Sequence, residues 1–101
     1  MVKLALFVRL KAKSGKADAL QKFLESGLEL ANAETETPVW FALRFDPQTF
    51  GIFDAFAGER GREAHLNGRI AAALMAHADE LLAEPPSIEK VDLLAVKLPQ
   101  R

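Results

Sequence analysis

In the stretch FAGERGREAHLNG, residues 56–68, a histidine and an asparagine stand close together where an apolar run gives way to a charged one. His65 titrates near neutral pH, so it can take or give a proton there. Asn67 can orient a bound molecule or donate to an oxygen that gains charge. Both have a plainer use: His65 packing or capping a helix start, Asn67 closing a helical turn before Gly68. A second set lies upstream, in VWFALRFD, where Trp40, Arg44 and Asp46 share one face of an alternating run. Trp40 and Arg44 can line a pocket in which the guanidinium meets an anionic ring oxygen. Alternatively, Trp40 and Phe41 pack on the two sides of a sheet. Phe53 is a third substrate-binding candidate, although Phe7, Phe53 and Phe56 also suit a core or an interface.

Other chemistry is scarce. His77 lies near the edge of an apolar helical arc, where a structural or surface role suits it. His65 and His77 are twelve residues apart, about 18 Å along one straight helix. They cannot share a metal on such a helix, and the chain has no cysteine and no His-x3-His pair. No metal site is expected. Gly58-Glu59-Arg60-Gly61 lacks the Gly-Lys-Ser/Thr ending of a phosphate loop and carries an acid in its middle. Arg9 and Asp54 are charges inside apolar strands, and a buried charge needs a partner. An Arg9–Asp54 or Arg44–Asp54 pair is expected.

The elements that must position these residues follow from periodicity. Val2 to Lys11 alternates as a strand, with Val2, Leu4, Leu6, Val8 and Leu10 on one face. Ser14 is placed to cap a helix, in which Ala17, Leu20, Phe23, Leu24, Leu28 and Ala31 recur at helical spacing as far as about Glu34. Pro38 stops it. Val39–Asp46 and Phe50–Ala57 read as strands, and the short Pro47-Gln48-Thr49 link makes them an antiparallel hairpin. Glu59 to about Ala83 is helical, broken or bent near Gly68, and stopped by Pro85-Pro86. Ile88–Leu98 is a final strand. The order β-α-β-β-α-β is the ferredoxin-like α+β arrangement with an antiparallel sheet.

At 101 residues, one domain covering 1–101 is expected. Two helical segments cover one face of a four-stranded sheet. The other face carries Ala5, Phe7, Phe53, Ala55 and Ala57, too apolar to stay wet. Such a patch marks an interface, and a homodimer packed sheet to sheet is expected. With 13 basic and 14 acidic residues interspersed along the chain, no basic stripe exists to bind nucleic acid. The opening run MVKLALFVRL is too short for a membrane span and lacks signal-peptide character. A cytoplasmic protein without disulfides is the expectation.

The chain resembles the antibiotic biosynthesis monooxygenase (ABM) domain family of the dimeric α+β barrel superfamily. The resemblance rests on the first strand with SGKADALQKFL, on TFGIFDAFAGERGREAHLNGRIAAAL, and on PPSIEKVDLLAVKL, of which residues 50–82 are the most specific. It implies a homodimer whose sheets form a barrel, with a pocket between helices and sheet in each subunit. It also implies oxidation of phenolic, quinol or polyketide-like aromatics by molecular oxygen, with no metal, flavin or other cofactor. A deprotonated quinol can itself pass an electron to oxygen, so the protein needs a base, a donor or two and an apolar pocket. His65 and Asn67 are then the catalytic candidates, and Trp40, Arg44 and Phe53 the substrate-binding ones. Haem-degrading relatives carry an asparagine on the first strand. This chain has Phe7 and Val8 there, and its one tryptophan lies on another strand, so haem degradation is disfavoured. It also lacks tyrosine, which anchors substrate in some relatives. The alternative function is a non-catalytic dimeric small-molecule-binding or stress-related module with the same fold.

Overall fold

The computed structural model describes residues 1–99. Its elements are β1 (Leu4–Lys11), α1 (Ala17–Ala33), β2 (Val39–Asp46), β3 (Thr49–Phe56), α2 (Glu59–Leu66), α3 (Arg69–Leu81) and β4 (Ser87–Asp92). They form one antiparallel sheet in the order β2-β3-β1-β4, the α+β, ferredoxin-like arrangement. No helix among the described residues is long and apolar enough to cross a membrane.

Strand pleating sorts the side chains into two sets. Leu10, Val8, Phe50 and Ile52 lie on the helix face, where Leu20 and Leu24 of α1 and Leu74 and Leu81 of α3 cover them. On the other face, Ala5 and Ala55 are buried among Val39, Phe53 and Val91. That face stays largely open. Phe41 and Phe45 are each about half exposed, and Phe45 meets Phe7 edge-on with ring centres 6.1 Å apart.

Three local expectations need correction. Ser14 does not cap α1: the residue before the helix is Lys16, and no side chain caps it. The last strand ends at Asp92 rather than Leu98: its ladder with β1 closes at the Leu4–Asp92 pair, followed by one further bond from Leu93 N–H to the Lys3 carbonyl. Arg9 does not pair with Asp54. Its guanidinium lies over the rings of Phe45 (4.5 Å) and Phe7 (5.3 Å) on the open face. The pleat forbids the expected pair, since Asp54 is opposite Leu6 and points to the helix side. Arg44 does not pair with Asp54 either. In register it stands four residues along β2 from Trp40, the neighbour of Asp54, roughly 13 Å away.

The bend expected near Gly68 is present and divides the second helical segment into α2 and α3. Asn67 ends α2, and extended backbone at Gly68 restarts the chain as α3.

Gly51 shows how tightly the sheet is packed. A Cβ there would lie 2.9 Å from the Val8 carbonyl oxygen and 3.0 Å from the Phe45 ring. The carbonyl belongs to the sheet and cannot move aside. Gly51→Ala is expected to lower stability by about 1–3 kcal/mol, measured by urea denaturation.

Candidate active site

Asp54 sits in β3 with Phe50, Ile52 and Phe56 on the same face, and it is fully buried. His65 reaches it from α2, its ring stacked obliquely on Phe56 at 5.4 Å. Nε2 of His65 is 2.9 Å from Asp54 Oδ2, and Nδ1 is 2.6 Å from Glu34 Oε1. The imidazole therefore stands between two carboxylates drawn from different elements. Glu34 is the residue at which α1 ends, and Thr37 donates its hydroxyl to the same Oε1 at 2.9 Å. Glu34 Oε2 and Asp54 Oδ1 are buried and have no partner.

Charge chemistry follows from this arrangement. Burial alone pulls the His65 pKa down, but Asp54 and then Glu34 outweigh it and hold the imidazole above its ordinary value. Burial pushes Asp54 up, and the facing histidine draws it only partly back. Both carboxylates thus favour the imidazolium, whose Nδ1 faces Glu34 and whose Nε2 faces Asp54.

Close packing holds the row together. Gly61 and Gly68 flank His65 on the side that meets the 34–37 turn. A Cβ on Gly61 would lie 2.8 Å from the Glu36 carbonyl oxygen, and one on Gly68 would lie 2.9 Å from Glu34 Oε2. Arg62, also buried, fixes α2 to the sheet. Its Nη1 donates to the carbonyls of Ala5 (3.2 Å) and Val91 (3.3 Å), and its Nη2 to both Glu59 oxygens. The row ends at a cleft of about 350 Å³, walled by Leu30 and residues 33–37 on one side and by Ala64, His65, Gly68 and Arg69 on the other. This volume lies within the range of small-molecule sites.

The other residues singled out in the sequence do not join His65. Asn67 donates its side-chain N–H to the Glu63 carbonyl and closes α2. Trp40 neighbours Asp54 across the β2–β3 ladder, but its ring packs into the core beside Gly27, and its Nε1 is buried without a partner. Arg44 donates to Gln21 Oε1 at 2.8 Å, in a separate groove between α1 and β2. Phe53 lies on the open face, on the far side of the sheet from His65. His77 is half exposed, beside Phe23 and Glu80. Sequence reasoning missed Glu34, Thr37 and Arg62. Asp54 carried a signal, as a charge within an apolar strand, but its partner was sought among arginines.

The fold is shared with solved structures of the ABM group. A Nitrosomonas europaea protein described as a "putative antibiotic biosynthesis monooxygenase" superposes with a TM-score of 0.81 at 18% identity, over 91% of this chain and 99% of its own. One from Caulobacter crescentus, described in the same words, gives 0.79 at 18% identity, over 93% and 92%. No family model and no curated protein matches the chain. The particular kinship is stronger. The NE2512 protein of Nitrosomonas europaea, described as of unknown function, is 67% identical over 100% of this chain and 98% of its own, with a TM-score of 0.97. The chain belongs to the same family as NE2512, within the ABM-like fold.

Two outcomes test the row. At pH 7, His65→Ala leaves Asp54 buried without its cation and is expected to cost about 3–5 kcal/mol. Adding Asp54→Asn removes the stranded charge and should restore part of that loss in urea denaturation. The pH dependence has a fixed sign. A histidine pKa raised by folding stabilises the native state fully below its unfolded value, near 6.5, and that contribution is lost as pH rises through the folded value. Stability should therefore decline above about pH 6.5 in the wild type. The decline should be absent from a His65→Gln variant.

Proposed function

We propose that this chain is a cofactor-independent monooxygenase of a small phenolic or quinol aromatic, bound in the cleft at the end of the Asp54–His65–Glu34 row. The observation that carries this reading is Glu34 on the cleft wall, whose buried second oxygen, Oε2, has no partner. One Glu34 oxygen is held by His65 and Thr37, which fixes the carboxylate in place. The other is a buried acceptor with no donor, and a phenolic O–H that reaches it supplies one.

In this reading the base is Glu34 rather than His65, because both imidazole nitrogens already face carboxylates. His65 positions Glu34, while Asp54 favours the protonated form of His65. The remaining chemistry belongs to the substrate. A phenol and one molecule of oxygen give a quinone and one water, with four electrons leaving the ring and no outside reductant needed. Leu30, Ala33 and Ala64 supply an apolar wall for the ring.

The alternative is a non-catalytic dimeric small-molecule-binding or stress-related module. What favours it is the same saturation of His65, which also makes the row a purely structural staple. In either case we take the molecule to be a homodimer joined through the open sheet face, where Phe41 and Phe45 stand exposed around Phe7 and Phe53.

Oxygen uptake by metal-free protein with a panel of phenols, quinols and naphthols tests the reading. Protein-dependent uptake should fall at least about 100-fold in Glu34→Gln, the scale of a lost general base. Absence of uptake above the uncatalysed rate across the panel would favour the binding module. For the assembly, sedimentation should give a dimer mass for the wild type and a monomer mass for Phe41→Glu.

A further inference from the structure

His65 holds two carboxylates with one ring. Nδ1 lies 2.6 Å from Glu34 Oε1, and Nε2 lies 2.9 Å from Asp54 Oδ2. An imidazolium has an N–H for each, whereas a neutral imidazole has one N–H and one lone pair. When the ring loses a proton, one carboxylate must therefore face a lone pair at hydrogen-bond distance. The two are not equally free to leave. Asp54 is fully buried on β3, an interior strand of the sheet. Glu34 stands where α1 ends, on the cleft wall, with its side chain 19% exposed. Glu34 reaches water by turning its side chain, and Asp54 does not. The remaining N–H therefore stays at Nε2 with Asp54, and the lone pair at Nδ1 falls to Glu34.

No other cation is placed to take over. Around α2, Arg62 pairs with Glu59, Lys90 with Glu63 and Arg60 with Glu36. Arg9 and Lys11 of β1 share the pleat face turned away from the helices. Arg69 of α3 borders the cleft but is exposed, and it makes no ion pair among the described residues. Release of Glu34 also has a local result. Thr37 donates its hydroxyl to the same Oε1 at 2.9 Å, and its N–H bonds the Glu34 carbonyl at 3.3 Å. The turn is pressed on α2 so closely that a Cβ on Gly68 would meet Glu34 Oε2 at 2.9 Å. We propose that His65 is a proton-operated latch on this cleft: with both ring protons it holds Glu34 in the row, and with one it releases Glu34 and loosens the 34–37 turn. Opening goes with rising pH. Burial lowers the His65 pKa, but Asp54 and then Glu34 more than offset this, so release falls on the alkaline side of the ordinary histidine value. The latch does not depend on what the cleft binds.

The test is an NMR titration of the whole chain from about pH 6 to about pH 10, a range that spans a raised histidine. Ring nitrogen shifts of His65 report its protonation and tautomer. Hydrogen exchange, corrected for its intrinsic pH dependence, reports protection of the Glu34 and Thr37 amides. That protection should fall about tenfold or more as the ring loses its proton, the scale of a lost hydrogen bond to a charged group. The core amides of Leu24 and Ile52 should hold, and the neutral ring should keep its proton on Nε2. Two variants separate a latch from a structural staple. In His65→Gln, protection at Glu34 and Thr37 should not change with pH. In Glu34→Gln, the side-chain amide donates to the bare Nδ1, so the ring should still titrate while Thr37 stays protected. Unchanged protection while the wild-type ring titrates overturns the latch. So does a neutral ring protonated at Nδ1, or a ring that keeps both protons throughout. An equal loss of protection in Glu34→Gln also overturns it, by assigning the loosening to the turn itself. If His65→Gln does not fold, the wild-type titration and Glu34→Gln decide.

Discussion

A carboxylate sealed away from water must either stay protonated or find a cation, and Asp54 is such a carboxylate. Its partner, His65, is itself a residue whose charge is optional. Each therefore sets the state of the other, and Glu34, held on the far ring nitrogen, joins them. Much else follows from keeping these three groups together. β3 supplies the acid from the floor, α2 hangs the imidazole over it, and α1 ends where its cap residue can complete the row. Two glycines let the turn at 34–37 press against α2, and Phe56 seats the ring. The break between α2 and α3 then opens the cleft beside the row.

The row is consistent with both a catalytic and a structural reading, and the reason is physical. A histidine between two carboxylates is well placed to hold charge and poorly placed to accept a proton from outside. In the catalytic reading, chemistry leaves the row at the end that meets the cleft. That end is Glu34, which lines the cleft and whose second oxygen is buried without a donor.

The periodic parts of this fold were legible in the sequence. Alternation in residues 2–11 and 39–46, helical spacing from Ala17 to Ala31 and the break at Gly68 place the elements and their order. Asp54 was visible as an anomaly, and His65 as the residue most apt for chemistry. Their pairing was not read, because it depends on which way a strand residue points and where a helix from elsewhere lands. The pleat could have excluded Arg9, which lies on the opposite face from Asp54. Glu34 was hidden as an ordinary helix-ending acid. Its importance comes from tertiary approach, which sequence spacing does not encode. The end of β4 was overestimated for a related reason: the ladder stops at the Leu4–Asp92 pair, and beyond it only the Leu93 N–H bonds the Lys3 carbonyl.

The buried Arg62 has a consequence for how the chain assembles. Its guanidinium donates at once to Ala5 near the start of the chain and to Val91 near the end. β1, the first strand made, is also paired with β4, the last. During synthesis Arg62 therefore has only part of its acceptors until the C-terminal strand emerges and docks. Contacts so distant along the chain slow folding, since their closure entropy comes before their reward. The growing chain must keep an arginine and the bare edge of its central strand in waiting. The final strand thus completes the sheet and at the same time releases α2 from an unfinished state.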